Sequence, residues 1–314
     1  MSQKPLIVVS GATGAQGGSV ANSLLATGNY RVRALTRNPD SDKAKALASK
    51  GAEVFKCNLS IREDVKNALS GADIAWIVTN FWDPSIYGKD VNEEERQGKM
   101  ISDIAKEEGV NWLIYSSIVD STVESGGKYP DVIQFTGKNH VEQYIRTSGI
   151  PNMTFVYLGF YNQNIGANTI LIPNENDEVE LAISYLEEND QLPMIDVDGD
   201  TGPIVAKIIE EGPDKWNGKR VPVAAEFLTM KQIVDILTKV TGKKHKLKTM
   251  GDDDIAKLDA YVNNEQMKQM FKFIKEFGVF GKSDELRDIS IAKRLHPNIK
   301  TFEQYALETF GKAK

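Results

Sequence analysis

Short apolar runs separated by amphipathic stretches fill the first half of the chain. Leu6-Ile7-Val8-Val9 is apolar throughout, as a strand covered on both faces of a parallel sheet must be. Ser19 to Ala26 sets Val20, Leu24 and Leu25 on one side and predicts a helix. The alternating Tyr30–Thr36 predicts a second strand. Helices over Asp42–Ser49 and Arg62–Leu69 then interleave with strands over Ala52–Cys57 and Asp73–Val78. A long polar helix over Asn92–Glu107, a strand over Trp112–Ser117, a Gly- and Ser-bearing loop over Asp120–Asp131, a helix over Val132–Thr147 and a sixth strand over Met153–Leu158 keep the rhythm. Strand and helix in strict alternation give an α/β fold built on a doubly wound parallel sheet.

Beyond residue 158 the rhythm breaks. Asn164–Pro193, with the polar stretch Asn174–Glu180, predicts extended loop structure. The remaining pattern predicts strands over Met194–Val197, Lys219–Ala224 and His245–Met250. It predicts helices over Gly202–Glu211, from Leu228-Thr229-Met230 to Thr241 with Thr229 as N-cap, over Asn263–Glu276 and over Thr301–Phe310. These pieces are too few for a second nucleotide fold. The expected organisation is a nucleotide-binding domain over 1–158 and a smaller α/β lobe over 159–314 closing the cleft, with some strands free to return to the main sheet.

Composition narrows the function classes. The 314 residues carry a formal net charge of −6, which argues against the chain as a whole clamping nucleic acid. The single cysteine, Cys57, excludes an internal disulfide framework and suits a reducing cytosol or nucleus. No leader-like segment opens the sequence, and no apolar run reaches the roughly 18–20 residues needed to span a bilayer.

Candidate chemistry begins at Ser10-Gly11-Ala12-Thr13-Gly14-Ala15-Gln16-Gly17-Gly18, between the first strand and the first helix. The spacing is G-x-x-G-x-x-G. Gly11 allows the sharp turn, Gly14 lets backbone approach a pyrophosphate, and Gly17 lets the helix pack close to the sheet, while open N–H groups at the helix start face phosphate charge. Arg37, just after the second strand, stands where an acidic residue would accept from the ribose 2′-hydroxyl of NAD; an arginine suits the 2′-phosphate of NADP. Asn58 follows the third strand, as an adenine contact or as a turn cap. Thr79-Asn80-Phe81-Trp82 follows the fourth. Arg96, Gln97 and Lys99 recur on the long polar helix, either reaching towards phosphates or forming a solvated face.

A short-chain dehydrogenase needs a tyrosine as general acid and a lysine four residues later that lowers the tyrosine pKa. None of the ten tyrosines has that partner. Lys138 lies on the expected helix, but the position four before it is Gln134, whose amide does not ionise. Ser116 and Ser117 occupy the place of a dehydrogenase serine, where a structural hydroxyl is the commoner occupant. His140, His245 and His296 are scattered, so no metal cluster is visible. Lys243-Lys244-His245-Lys246-Leu247-Lys248 is a local basic patch that suits either an acidic partner or a guarded strand edge. Cys57 is either a redox-sensitive thiol or a buried one.

On these residues the sequence resembles the NmrA-like family, atypical relatives of the short-chain dehydrogenases, and within it the NADPH-binding redox-sensor branch. The matching stretches are Gly11–Val20, Val32–Pro39, Gly51–Val54, Ile77–Trp82, Gln97-Gly98-Lys99, and Gly137-Lys138 with Val141-Glu142. The likeness continues through Tyr161–Asn164 and Asp253–Phe273. The resemblance implies a Rossmann domain with a smaller C-terminal α/β lobe. It implies NADP contacts from Gly11, Ala12, Thr13, Gly14, Ala15, Gln16, Gly17, Arg37, Asn58, Leu59, Thr79, Asn80, Phe81, Arg96 and Lys138, and from Tyr161, Asn162, Gln163 and Asn164. Arg62 stands at a contact position too, although it and the Asn58-Leu59 pair depart from the residues usual there. The implied function is an NADP(H)-binding redox sensor or transcriptional regulator acting through a partner protein, with a homodimer allowed and direct nucleic-acid or membrane binding not expected. It would be cytoplasmic, with a nuclear location also open. The alternative is an NADPH-dependent reductase of quinones or enones, with Trp82, Phe160 and Tyr161 lining an apolar pocket.

Overall fold

The first strand, β1 (Leu6–Val9), is fully buried, as its unbroken apolar run requires. In the computed structural model, which describes residues 4–87, 90–166, 171–174, 178–258 and 264–311, it is an inner strand of a seven-stranded sheet. After β1 the chain forms α1 (Ala15–Thr27), β2 (Arg31–Thr36), α2 (Asp42–Ser49), β3 (Glu53–Lys56), α3 (Arg62–Leu69), β4 (Ile74–Ile77), α4 (Glu93–Glu107) and β5 (Trp112–Ser117). A short α5 (Ser121–Glu124) interrupts the expected loop, and α6 (Ile133–Thr147) and β6 (Asn152–Leu158) follow. Next come β7 (Phe160–Tyr161), a 3-10 turn (Asn162–Asn164), β8 (Leu171–Pro173), β9 (Val179–Ser184), β10 (Gln191–Ile195), α7 (Val197–Glu211), α8 (Pro213–Trp216) and β11 (Lys219–Val223). The chain ends with β12 (Glu226–Thr229), α9 (Met230–Thr241), β13 (His245–Met250), α10 (Asp252–Ile255), α11 (Glu265–Phe277), α12 (Asp284–Arg287), α13 (Ser290–Leu295) and α14 (Phe302–Phe310).

The large sheet has the order β11-β6-β5-β4-β1-β2-β3, and its strands β1 to β6 pair in parallel. This is the doubly wound Rossmann order with one more strand at the β6 edge. The order reverses between β1 and β4, so the crevice beyond the C-terminal ends of these two strands is where such a sheet binds ligands. Ser10 ties the two ends together: its Oγ donates to the Val78 carbonyl at 3.0 Å and accepts from the Val78 amide at 2.7 Å.

The chain divides into two units. The first holds Met1–Asp120, Gln134–Tyr157 and Asp198–Val221; the second holds Ser121–Ile133, Leu158–Val197 and Pro222–Lys314. Residues 198–221 therefore lie with the nucleotide-type sheet, and β11 joins its edge. The core of the first unit packs Ile7, Trp76, Trp112, Tyr115 and Phe155, all essentially inaccessible to water. Two glycines set its closest helix contacts. A Cβ on Gly202 of α7 would lie 2.1 Å from the Ser19 carbonyl oxygen of α1, and the Gly202 amide donates to Ser19 Oγ at 2.9 Å. A Cβ on Gly98 of α4 would lie 2.6 Å from Val141 of α6.

The second unit holds two three-stranded sheets, β12-β10-β7 and β13-β9-β8. Its core includes Leu237, Phe273, Phe280 and Phe302. The structure corrects the expectation of loop over Asn164–Pro193: β8, β9 and the start of β10 lie there, with residues 167–170 and 175–177 of that stretch outside the described residues. Val179-Glu180-Leu181-Ala182-Ile183 does not alternate, because β9 is the central strand of its sheet and Leu181, Ala182 and Ile183 are all buried. The cap at Thr229 is as its sequence predicts, a full capping box, and Thr301, expected as the first residue of its helix, is instead its N-cap, in a second capping box. The helix expected from Asn263 runs from Glu265 with Asn264 as its N-cap; Asn263 is outside the described residues.

Candidate functional site

The loop from Ser10 to Gly17 closes the β1 end. Gly11 adopts φ +60°, a backbone conformation that glycine reaches without strain. Gly17 is excluded from any other identity: a Cβ there would lie 2.2 Å from the Ser10 carbonyl oxygen and 2.4 Å from that of Gly11. Helix α1 starts at Ala15, earlier than its apolar pattern indicates, with Gly14 as N-cap and no side-chain cap. The first-turn N–H groups have no intrahelical acceptors, so the positive end of the helix opens at Ala15, Gln16 and Gly17. A cavity of about 340 Å³ adjoins the loop, lined in part by Ala12, Thr13, Gly14, Lys43 and Lys50.

Arg37 projects beyond β2 and is 60% exposed, yet its fork is engaged. Nη1 donates to Asp83 Oδ1 at 3.0 Å and Nη2 lies 2.7 Å from Asp83 Oδ2. Asp83 is itself fixed by Ser85, whose amide and Oγ donate to Oδ1 at 2.9 and 2.6 Å. Burial alone would raise the Asp83 pKa, but the Ser85 hydrogen bonds and the Arg37 charge outweigh it and hold the carboxyl below its usual range.

Beyond β4, Thr79 joins two groups. Its Oγ1 accepts from Lys138 Nζ at 3.0 Å and lies 3.3 Å from the Tyr115 hydroxyl, and Lys138 Nζ also donates to the Thr79 carbonyl at 3.0 Å. Lys138 is ion-paired with Glu94, a buried residue in the first turn of α4 whose Oε2 has no hydrogen-bond partner among the described residues. Gln134 lies one helical turn before Lys138 on the same face of α6. It is buried, and neither end of its amide has a hydrogen-bond partner among the described residues. Tyr115 is no substitute acid: burial, then Glu94, push its pKa far up.

Asn58 acts as a turn cap, accepting at Oδ1 from the Ser60 amide at 3.1 Å, and Asn80 does the same for the Trp82 amide at 3.2 Å. Leu59 follows Asn58 beyond β3. Phe81 is buried and stands edge-on to Trp82 (centroids 5.1 Å) and to Tyr87 (6.0 Å). Arg62 binds both carboxylate oxygens of Glu107 at 2.5 and 2.7 Å, while Arg96 pairs with Asp90 and Glu93 at 2.5 and 2.7 Å. Gln97 donates to Ser60 Oγ at 2.9 Å, and Lys99 pairs with Glu95 at 2.5 Å. In the second unit, Tyr161 ends β7 and Asn162, Gln163 and Asn164 form the 3-10 turn. Gln163 donates to Asp196 Oδ1 at 2.6 Å, and the fully buried Asn162 has both amide atoms without a partner among the described residues.

A profile of the NmrA-like family matches residues 3–306. The chain belongs to the NmrA-like family. An NmrA-like family domain-containing protein of Dictyostelium discoideum is 31% identical over 316 residues, covering 97% of each chain. An NmrA-like family domain-containing oxidoreductase of Aspergillus flavus is 28% identical over 308 residues, covering 93% of this chain and 90% of that one. Among solved structures, NmrA, a negative transcriptional regulator, aligns over 98% of this chain and 96% of its own, with TM-score 0.84 at 26% identity. Structures of NmrA in complex with NAD and with NADP align with TM-scores of 0.82 and 0.81, each at 25% identity.

Within this NmrA-like chain the structure decides several smaller alternatives. Ser117 Oγ donates to Glu142 Oε2 at 2.8 Å, a structural bond. The basic patch at β13 is partly balanced by carboxylates at the start of β9: Lys244 and Lys246 lie 2.9 and 2.6 Å from Glu178, and Lys248 lies 3.1 Å from Glu180. The two lysines hold the Glu178 carboxyl down to about 2. No His, Cys, Asp and Glu grouping among the described residues could hold a metal ion, and no described helix is long and apolar enough to cross a membrane. Burial, then Asp64, push the Cys57 thiol up to about 12. At pH 8 only about one thiol in 10⁴ is then ionised, so iodoacetamide is expected to label the native protein negligibly and the unfolded chain fully. Rapid native labelling would contradict the burial.

Sequence reasoning missed Asp83 and Glu94, the carboxylates on Arg37 and Lys138. Nothing local marks either one, since they lie 46 and 44 residues from their cations.

Proposed function

We propose that this chain is an NADP(H)-binding regulator without dehydrogenase activity. The observation that carries this reading is Gln134: the helix position from which a dehydrogenase tyrosine would donate its proton holds a buried amide that cannot ionise, one turn from Lys138. The residues fit a dinucleotide on two further observations. The Gly17 cradle leaves no room for a side chain, and the first-turn amides of α1 carry no side-chain cap. The first-turn amides after Gly14 would receive the pyrophosphate, Arg37 the 2′-phosphate, and Thr79, Asn80, Phe81 and Lys138 the nicotinamide side. The bound cofactor supplies hydride chemistry; this chain supplies positioning and charge but no ionisable acid at Gln134. NmrA, bound to NAD or NADP in its own structures, is a negative transcriptional regulator, which supports a regulatory role exerted through a protein partner.

Calorimetric titration with NADPH, NADP⁺, NADH and NAD⁺ tests the binding half. Tighter binding of NADP(H) than of NAD(H) is expected. Arg37→Ala should cost NADP⁺ about 1.5–3 kcal/mol, the scale of a charged hydrogen bond, and leave NAD⁺ unchanged. Equal losses for both would show that Arg37 does not read the 2′-phosphate. NADPH oxidation in the presence of quinone and enone acceptors tests the other half, and turnover near the ~1–10³ s⁻¹ usual for enzymes would overturn the regulator reading.

That result would favour a second reading, an NADPH-dependent reductase. The cluster of Phe81, Trp82 and Tyr87, with Trp82 and Tyr87 centroids 5.2 Å apart, offers an apolar wall at the β4 end. The Aspergillus flavus relative also bears the name oxidoreductase.

A further inference from the structure

The arginine assigned to the 2′-phosphate already holds an anion. Both terminal nitrogens of Arg37 face the two oxygens of Asp83, at 3.0 and 2.7 Å, in the fork-to-carboxylate geometry that a phosphate would also demand. The two partners differ in freedom. Arg37 is a long, 60% exposed side chain, whereas the Asp83 side chain is only 12% exposed. Asp83 Oδ1 accepts from the amide and hydroxyl of Ser85, and its carbonyl accepts from the Ile86 and Tyr87 amides, both at 2.8 Å. The carboxylate is thus built into its turn and stays there whether or not Arg37 is beside it. Arg37 is the member able to move.

From this geometry we infer that Asp83 sets the cofactor discrimination of the chain by competing with the 2′-phosphate of NADP(H) for Arg37. The inference rests on the reading of Arg37 as the 2′-phosphate site. Two effects act in the same direction. A 2′-phosphate that takes the same edge of the Arg37 fork must displace a carboxylate that already draws one N–H from each terminal nitrogen. It must also sit within a Debye length of that fixed negative charge, which repels it. NAD(H), with a 2′-hydroxyl, meets neither obstacle. Asp83 therefore lowers the preference for NADP(H) that Arg37 alone would give, and the chain discriminates less sharply than its arginine implies. Among the other arginines assigned to the cofactor, neither Arg62 nor Arg96 has this arrangement. Arg62 and Arg96 pair with carboxylates that are 47%, 49% and 28% exposed, and those carboxylates lie on or beside the same α4 segment rather than across the nucleotide crevice.

The test is Asp83→Asn, which removes the charge and keeps the side-chain oxygen that accepts from Ser85. The probes are NADP⁺ and NAD⁺, together with adenosine 2′,5′-bisphosphate and 5′-AMP to isolate the 2′-phosphate. Each is titrated calorimetrically into wild type, Asp83→Asn, Arg37→Ala and the double variant. The expected result is about fivefold tighter NADP⁺ and 2′,5′-bisphosphate binding by Asp83→Asn, the scale of a partly exposed ion pair, with NAD⁺ and 5′-AMP within twofold of wild type. The gain should shrink in the Arg37→Ala background. Unchanged or weaker NADP⁺ binding by Asp83→Asn would overturn the inference, because it would mean that Asp83 is neutral or pre-orients Arg37. If Arg37→Ala binds the 2′,5′-bisphosphate as wild type does, the assignment of Arg37 itself has failed, an outcome separate from the first. NAD⁺ binding reports that the variant is folded. Asp83→Ser, which also offers Ser85 an oxygen, stands in if the asparagine variant is unstable, with the same expected gain and the same overturning result.

Discussion

Glu142→Ala is expected to destabilise the protein by about 2–3 kcal/mol, less than the full cost of stranding a buried charge because its two arginine partners are partly exposed. Glu142, on α6, is wholly inaccessible to water. Its Oε1 accepts from Arg146 Nη2 and Nε at 2.9 and 3.1 Å and from Arg220 Nε at 2.7 Å. Its Oε2 accepts from Ser117 Oγ at 2.8 Å and from the Tyr157 hydroxyl at 2.6 Å. One carboxylate thus joins α6 to β5, β6 and the returning edge strand β11. Truncation removes the carboxylate shared by two partly exposed guanidinium groups and a buried phenol. Glu142→Gln keeps the shape but loses the charge-assisted part of each bond, so it should cost roughly half as much. Chemical denaturation read by circular dichroism measures both. A loss under about 1 kcal/mol for the alanine variant would show that water or a repacked side chain replaces the carboxylate readily.

The second large effect is at the glycine loop, where two glycines should respond differently. Gly17→Ala puts a methyl group 2.2 Å from one backbone carbonyl oxygen and 2.4 Å from another, and neither can swing aside as a side chain would. The β1–α1 turn must open, at a cost of about 3 kcal/mol, the upper range for overpacking. Nucleotide binding should fall below detection with it. Gly14→Ala meets only the Gly11 carbonyl oxygen, at 3.3 Å, and Gly14 has an ordinary extended backbone. The fold should tolerate that change. Any loss of nucleotide binding by Gly14→Ala then reports close approach of a ligand to the backbone rather than damage to the loop. Thermal melting separates the two variants, and calorimetry with NADP⁺ completes the comparison. Equal melting temperatures for Gly17→Ala and wild type would refute the close contact between α1 and the turn after β1.

The sequence by itself determined the local elements and the frame of the site. The apolar run of β1, the glycines after it and the amphipathic helices α2 and α3 are short-range facts, written in a period of side-chain burial or in the backbone freedom of a glycine. Arg37 after β2 and Lys138 on α6 were legible for the same reason, since each is placed by its own element. So was the loss of the tyrosine at Gln134. The tertiary structure alone decided which groups those cations meet. Asp83 lies 46 residues from Arg37, Glu94 44 from Lys138 and Glu107 45 from Arg62; no local period connects members of different elements. It also decided that β11 returns to the large sheet and that β8 and β9 form a sheet where polar residues indicated loop. A strand shielded by neighbours that come from distant parts of the chain need not alternate, and its neighbours are chosen by packing, which a one-dimensional pattern does not encode.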